Sequence, residues 1–180
     1  MQAVELAILD WIQQTLRCGF LDAVLPAITR LSDHGEIWIL LAAVLLLTKK
    51  YRWAGVCVAL ALVLDLAVCN GFLKPLVGRI RPCAVNTAVD LLVPPPGDAS
   101  FPSGHTAASF TAVTALALAG GVPRWLRWAA LALAVVIALS RLYLYVHWPT
   151  DVLGGALLGA VLGWAGARIT AAARKKLART

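Results

Sequence analysis

WAGVCVALALVLDLAVCNGFL, Trp53 to Leu73, followed at once by KPLVGRIRP, Lys74 to Pro82, is the stretch that decides the fold. At 1.5 Å per residue its first part reaches about 30 Å as a helix, the thickness of a bilayer's hydrocarbon core. It holds one acidic or basic residue, Asp65, and then the chain turns abruptly basic. The simplest reading is a membrane helix that ends in a cluster of cations.

The pattern recurs on both sides. Glu36 to Thr48, Gly104 to Ala119, Trp125 to Tyr145 and Trp148 to Ile169 are also apolar, giving five segments read as spanning helices. The expected fold is all-α: a polytopic transmembrane bundle of five spans and six helices, formed by residues 1–180 as a single domain. Glu36 to Thr48 and Gly104 to Ala119 are short for a full crossing, so they need extra turns at their ends or stop within the bilayer. Residues 1–31 form a separate region. Leu6, Leu9, Ile12 and Leu16 recur at helical spacing while Asp10, Gln14 and Arg17 mark another face, which predicts an amphipathic helix that lies on the surface or crosses with the Phe20 to Leu31 segment.

Composition supports lipid as the solvent. The 180 residues are 61% hydrophobic and 14% charged, with a mean hydropathy of +0.81, against about half apolar and a quarter charged in soluble domains. The net charge of +7 does not argue for nucleic acid, because the basic residues sit between apolar runs and form no stripe with interleaved aromatics. Cys18, Cys57, Cys69 and Cys83 show no C-x-x-C spacing, so neither a metal site nor a disulfide framework is expected. Glu5 and Asp10 stand where a signal peptide would be basic, which reads against a removable leader.

Loop charge sets the orientation. Lys49, Lys50 and Arg52, then Arg124 and Arg127, then Arg168, Arg174, Lys175, Lys176 and Arg179 mark one side, assigned to the cytoplasm. The segments around Ser32 to Gly35, Lys74 to Pro102 and Arg141 to His147 fall on the other, with Pro94, Pro95, Pro96 and Gly97 making the long loop irregular. Trp53, Trp125 and Trp128 belong to the inner aromatic belt, Trp38 and Trp148 to the outer one. Gly155, Gly159 and Gly163 recur every fourth residue and predict close helix packing.

Lys74, Arg79, Arg81 and Arg141 lie on the external side against that bias, so something anionic should explain them. If the helix continues past Pro75, Lys74 and Arg81 are about two turns apart and share a face, with Asn70 one turn before Lys74; Arg79 points elsewhere, toward water or headgroups. Pro102-Ser103-Gly104-His105 opens a helix whose free N–H groups and dipole attract oxyanions. Pro149 starts the next one, with Asp151 in its first turn, from where its carboxylate can fix the tautomer of His147. Asp65, nine residues before Lys74, falls on the opposite helix face and reads as a hydrogen-bonding partner of a neighbouring helix. His34 reads as interfacial.

Lys74-x6-Arg81-Pro82, Pro102-Ser103-Gly104-His105 and Ser140-Arg141-x5-His147-x3-Asp151 together resemble the three ordered motifs of the type 2 phosphatidic acid phosphatase (PAP2) superfamily. Every signature position is present. The resemblance implies an integral membrane lipid phosphatase of the bacterial cytoplasmic membrane, active at its external boundary, with no cofactor or metal. It implies that His147 is the nucleophile, Asp151 its support and His105 the acid for the leaving group, while Lys74, Arg81, Ser103, Gly104 and Arg141 bind phosphate. Opposite protonation states of the two histidines imply a bell-shaped pH profile. The substrate implied first is undecaprenyl diphosphate, with phosphatidylglycerol phosphate, phosphatidic acid and diacylglycerol diphosphate as alternatives. A vanadate-dependent haloperoxidase would use the same anion site, but those relatives are soluble and much larger; a transport or scaffold protein would not need His147.

Overall fold

The computed structural model describes residues 2–178. Arg179, one of the basic residues assigned to the cytoplasmic side, lies outside them. Every regular element among the described residues is helical: α1 (Gln2–Thr15), α2 (Gly19–Arg30), α3 (Glu36–Leu47), α4 (Arg52–Asp65), the one-turn helices α5 (Lys74–Val77) and α6 (Pro82–Val85), then α7 (Gly104–Leu118), α8 (Arg124–Tyr143) and α9 (Pro149–Leu177). A 3-10 turn, Lys49–Tyr51, leads into α4, and a π-helical stretch, Leu66–Leu73, carries α4 on to α5.

Among the described residues, three stretches are long and apolar enough to cross a membrane: Lys49–Val85, Arg124–Tyr143 and Pro149–Leu177. The apolar α3 is shorter, and α7 ends at Leu118. Neither carries the extra turns that length alone suggested. At about 1.5 Å per residue, α1 and α2 reach about 21 and 18 Å, short of the hydrocarbon core.

The bundle is built on α7 and α9, its most extensive helix pair, with α4 against both and α3 against α4. Their closeness follows from the glycines. A Cβ on Gly155 would stand 2.7 Å from the Ser103 carbonyl oxygen, and one on Gly163 2.6 Å from that of Thr111; Gly159 meets Ala107 in the same way. Backbone touches backbone along this seam, as the four-residue spacing predicts. Above it, Trp38, Cys57, Val58, Ala112, Leu116 and Ile137 fill the core between α3, α4, α7 and α8.

Two tryptophans assigned to the outer belt are interior. Trp38 donates its indole N–H to Ser109 Oγ at 3.0 Å, and Trp148 donates to the Ile80 carbonyl at 2.8 Å. Both found a protein partner for the one polar atom that would otherwise hold them at the interface. Trp125 and Trp128 are exposed, and Arg174 lies over Trp53, which puts the start of α4 and the end of α9 at one end of the bundle.

The amphipathic reading of α1 holds for Leu9 and Ile12, which are buried against Tyr143 to Trp148, the turn between α8 and α9. Leu16 is exposed. The buried polar residue of this helix is Glu5.

Candidate active site

Five pieces of chain converge at the end of the bundle opposite Trp53: the π-helical stretch with α5, the start of α7, the end of α8, the start of α9 and the loop of residues 86–103. They surround a cavity of about 900 Å³ lined on one side by Asn70, Lys74, Arg81, Gly104, His105, Arg141 and His147. Lys74 and Arg81 meet, but not on one helix. Gly78 adopts φ +58, ends α5 and turns the chain, so that Arg81 returns toward Lys74 from an extended segment. The two share Asp98: Lys74 Nζ donates to Oδ2, and Arg81 donates Nη2–H to Oδ1 at 2.7 Å. Burial opposes ionisation of Asp98, yet the two cations outweigh it and hold its pKa at about 2.

His147 is buried in the turn between α8 and α9. That turn is strained at Tyr145, whose φ of +60 costs roughly 1–2 kcal/mol in a residue with a side chain. The strain is held from both sides: Tyr145 donates its hydroxyl to Asp10 at 2.6 Å and accepts from Asn86 at 3.2 Å. His147 Nδ1 faces Asp151 Oδ2 at 3.4 Å, and Arg81 Nη1–H points at Nε2 from 3.0 Å. With Nδ1 turned to a carboxylate and Nε2 to a cationic donor, the proton belongs on Nδ1 and the lone pair on Nε2, where Arg81 meets it. Burial drives the His147 pKa down to about 3; Asp151 raises it, and Arg81 and Arg141 lower it further.

Asp151 is held by more than histidine. Its Oδ2 also accepts the Trp148 N–H at 2.9 Å and the Ser100 hydroxyl, while Oδ1 accepts from Arg79 Nη1 at 2.6 Å. Arg79 was expected to face water or headgroups. It is instead paired with Glu5 as well, at 2.7 Å, and lies over the Trp148 ring.

At the start of α7, Gly104 leaves room for the neighbours: a Cβ there would stand 3.3 Å from Asn70 Oδ1 and 3.5 Å from Lys74 Nζ. Ser103 departs from its expected place. Its hydroxyl lies 3.0 Å from Thr106 Oγ1, is fully buried and does not line the cavity. His105 Nε2 lies 3.0 Å from Asp33 Oδ1 and 3.5 Å from Arg141 Nη1, and Arg141 donates to Thr29 Oγ1 at 2.7 Å. The Arg141 Nε–H is buried without a hydrogen-bond partner, a donor left over for an oxyanion. His34 also lines the cavity, exposed and paired with Glu36; its neighbour Asp33 is the residue that reaches the histidine.

The other side of the cavity is apolar, formed by Ile39, Ala42 and Leu46 of α3 and by Leu62, Val63 and Leu66 opposite. Asp65 lines it too, against the expectation that it faces away from Lys74. The π-helical stretch is the reason. Its turn takes about 4.4 residues against 3.6, so nine residues make about two full turns and return Asp65 to the side of Lys74.

The PAP2 superfamily model matches residues 50–175. An undecaprenyl-diphosphatase of Sulfolobus acidocaldarius is 33% identical over 141 residues, 77% of this chain and 67% of that protein. A decaprenylphosphoryl-5-phosphoribose phosphatase of Mycobacterium tuberculosis is 32% identical over 168 residues, 88% of this chain and 86% of its own length. The crystal structure of a transmembrane PAP2-type phosphatidylglycerolphosphate phosphatase from Bacillus subtilis superposes with a TM-score of 0.74 at 28% identity, covering 92% of this chain and 83% of that one. The chain belongs to the PAP2 superfamily and is a phosphatase of that family.

Proposed function

We propose that the chain hydrolyses a lipid phosphate or diphosphate through a phosphohistidine, with undecaprenyl diphosphate as first substrate. One observation carries the reading: a single cavity joins a cationic half to an apolar half between α3 and α4. The phosphate is drawn to Lys74, Arg81, Arg141 and the open N–H groups at Gly104, while the tail stays against Ile39, Leu46 and Leu62. Three side-chain cations and a helix N-terminus supply the positive charge that a developing phosphorane needs.

In the first step His147 Nε2 attacks phosphorus, the P–N bond forms and the P–O bond to the leaving group breaks. His105 gives its proton to the leaving oxygen. Asp151 accepts the Nδ1–H and stabilises the cation that develops on the ring. In the second step water attacks the phosphohistidine, gives a proton to His105, and inorganic phosphate leaves as His147 is restored. A phosphate-bearing lipid with a different headgroup, such as phosphatidylglycerol phosphate, fits the same chemistry, and the Bacillus subtilis neighbour favours it as the alternative.

The same proposal includes five crossings, with α3 and α7 as short spans, and the site at the external boundary. The alternation of Lys49 and Arg52, Arg124 and Arg127, and Arg174 against the site-bearing turns supports it. Phosphate release measured across a panel of prenyl diphosphates and glycerophospholipid phosphates, with and without EDTA, tests substrate and metal independence together. Acid-quench trapping tests the mechanism: wild type should give an acid-labile, alkali-stable adduct that maps to His147, and an adduct formed at a normal rate by His147→Ala overturns it.

A further inference from the structure

Glu5 is the most buried charge of α1, and it does not face lipid or solvent. Its Oε1 accepts the backbone N–H of Thr150 at 3.1 Å and the Thr150 hydroxyl at 2.6 Å; its Oε2 accepts Arg79 Nη2 at 2.7 Å. Arg79 in turn donates Nη1 to Thr150 Oγ1 and to Asp151 Oδ1, both at 2.6 Å. A continuous line of charge-assisted hydrogen bonds therefore runs from α1 through Arg79 to the carboxylate beside His147. Its first member lies outside residues 50–175, the part that the family model covers.

The charges explain why the line has three members. Asp151 is fully buried, and its Oδ2 is already occupied by Trp148 N–H, the Ser100 hydroxyl and His147. Oδ1 needs a partner of its own, and Arg79 is the cation within reach. A lone arginine against one carboxylate could swing; Glu5 fixes its second nitrogen, and Trp148 lies against its plane with the guanidinium carbon 5.1 Å from the ring centre. Glu5 also accepts from the first turn of α9, where an anion opposes the positive end of the helix dipole.

We propose that Glu5 and Arg79 are positioning residues: they lock the Asp151 carboxylate so that Oδ2 stays on His147 Nδ1, which makes α1 a working part of the active site. The proposal rests on His147 as the nucleophile. Neither residue touches the phosphate cavity, so the effect falls on formation of the P–N bond and not on substrate binding.

The experiment compares Glu5→Gln, Arg79→Lys and Arg79→Ala in the full-length protein, alone and combined with Asp151→Asn. Rapid-quench rates of phosphoenzyme formation, KM and vanadate inhibition are measured for each. The single variants should lose about tenfold or more in adduct formation, the usual scale for groups that orient a reacting side chain. KM and the vanadate inhibition constant should stay within about twofold, which also reports that the anion site is folded. Arg79→Lys should recover part of what Arg79→Ala loses. In the Asp151→Asn background the same changes should have little further effect, because residues acting through one carboxylate are not additive. Full adduct rates in Glu5→Gln and Arg79→Ala overturn the proposal, as do losses that persist undiminished in the Asp151→Asn background. An adduct that survives His147→Ala overturns the nucleophile instead, so the two failures are told apart.

Discussion

Asp33 Oδ1 and His105 Nε2 stand 3.0 Å apart, joining the turn after α2 to the first turn of α7. Burial, and after it Arg141, lower the His105 pKa to about 4; the Asp33 carboxylate works against both and supplies the acceptor that the protonated ring needs on Nε2. Asp33→Asn should therefore lower turnover of a lipid diphosphate by about tenfold or more, a part of the roughly 10²–10⁴-fold that general acid catalysis contributes. An aryl phosphate, whose leaving group needs little protonation, should be hydrolysed nearly as fast as by wild type. Parallel steady-state assays with the two substrates check this; equal losses on both would contradict it.

The bridge from Asp98 to Lys74 and Arg81 makes a second prediction. The carboxylate sits where two cations would otherwise meet a phosphate, and with a pKa of about 2 it stays ionised at any working pH. Asp98→Asn should tighten vanadate inhibition by about fivefold, the equivalent of roughly 1 kcal/mol for removing the half-exposed carboxylate that competes for both cations. Weaker inhibition would mean that Asp98 orders the cations for the ligand and does not compete with it.

The pH dependence follows from His147. The neutral imidazole is the reactive form, and its folded pKa of about 3 lies below the ordinary 6.5. With an aryl phosphate, the acid limb of adduct formation should be displaced well below pH 6.5 toward the folded value. Between 6.5 and 3 the unfolded chain binds the proton and the folded one does not. The contribution of this histidine to stability is then complete above 6.5 and is lost as pH falls toward 3. Rapid-quench rates and thermal midpoints across that window read both effects; an acid limb at 6.5 would refute the buried, neutral histidine.

The α7–α9 seam should tolerate no side chain. A Cβ at Gly159 overlaps the Ala107 carbonyl oxygen and a β-branched side chain more so; Gly159→Val should cost about 1–3 kcal/mol or prevent folding. Thermal unfolding in detergent measures it, and an unchanged midpoint would show that the helices can part without loss.

Orientation is checked by labelling. In a background lacking Cys18, Cys57, Cys69 and Cys83, a cysteine replacing Asp90 should react with an impermeant reagent in intact cells, while one replacing Arg127 should not. The reverse pattern would move the site to the cytoplasmic face.

The sequence made most of this bundle legible, and its failures share a physical form. The helix starts expected at Glu36, Gly104, Trp125 and Trp148 fall within one residue of those observed, because apolar runs and Pro or Gly punctuation are signals local to the chain. Asp65 was misplaced because counting assumed 3.6 residues per turn through Leu66–Leu73, and nothing in that apolar string announces a π-helical stretch. Arg79 and Trp148 were assigned to the boundary because their partners, Glu5 and the Ile80 carbonyl, lie far away in sequence. Asp33 was hidden by its neighbour His34, a residue type that attracts functional readings more readily than an acid in a turn.

The glycine seam has a mechanical consequence. His105 rides on the first turn of α7, and His147 lies just before α9 with Asp151 in its first turn, two helices whose backbones touch at Gly155, Gly159 and Gly163. Without long side chains between them there is little to compress or slide, so acid and nucleophile keep their spacing as the surrounding lipid thickens or thins. Shape change on binding is then left to α3 and the residue 86–103 loop. Hydrogen exchange should find those segments the most responsive to a bound anion and the seam the least, a rigid anvil beside a compliant wall.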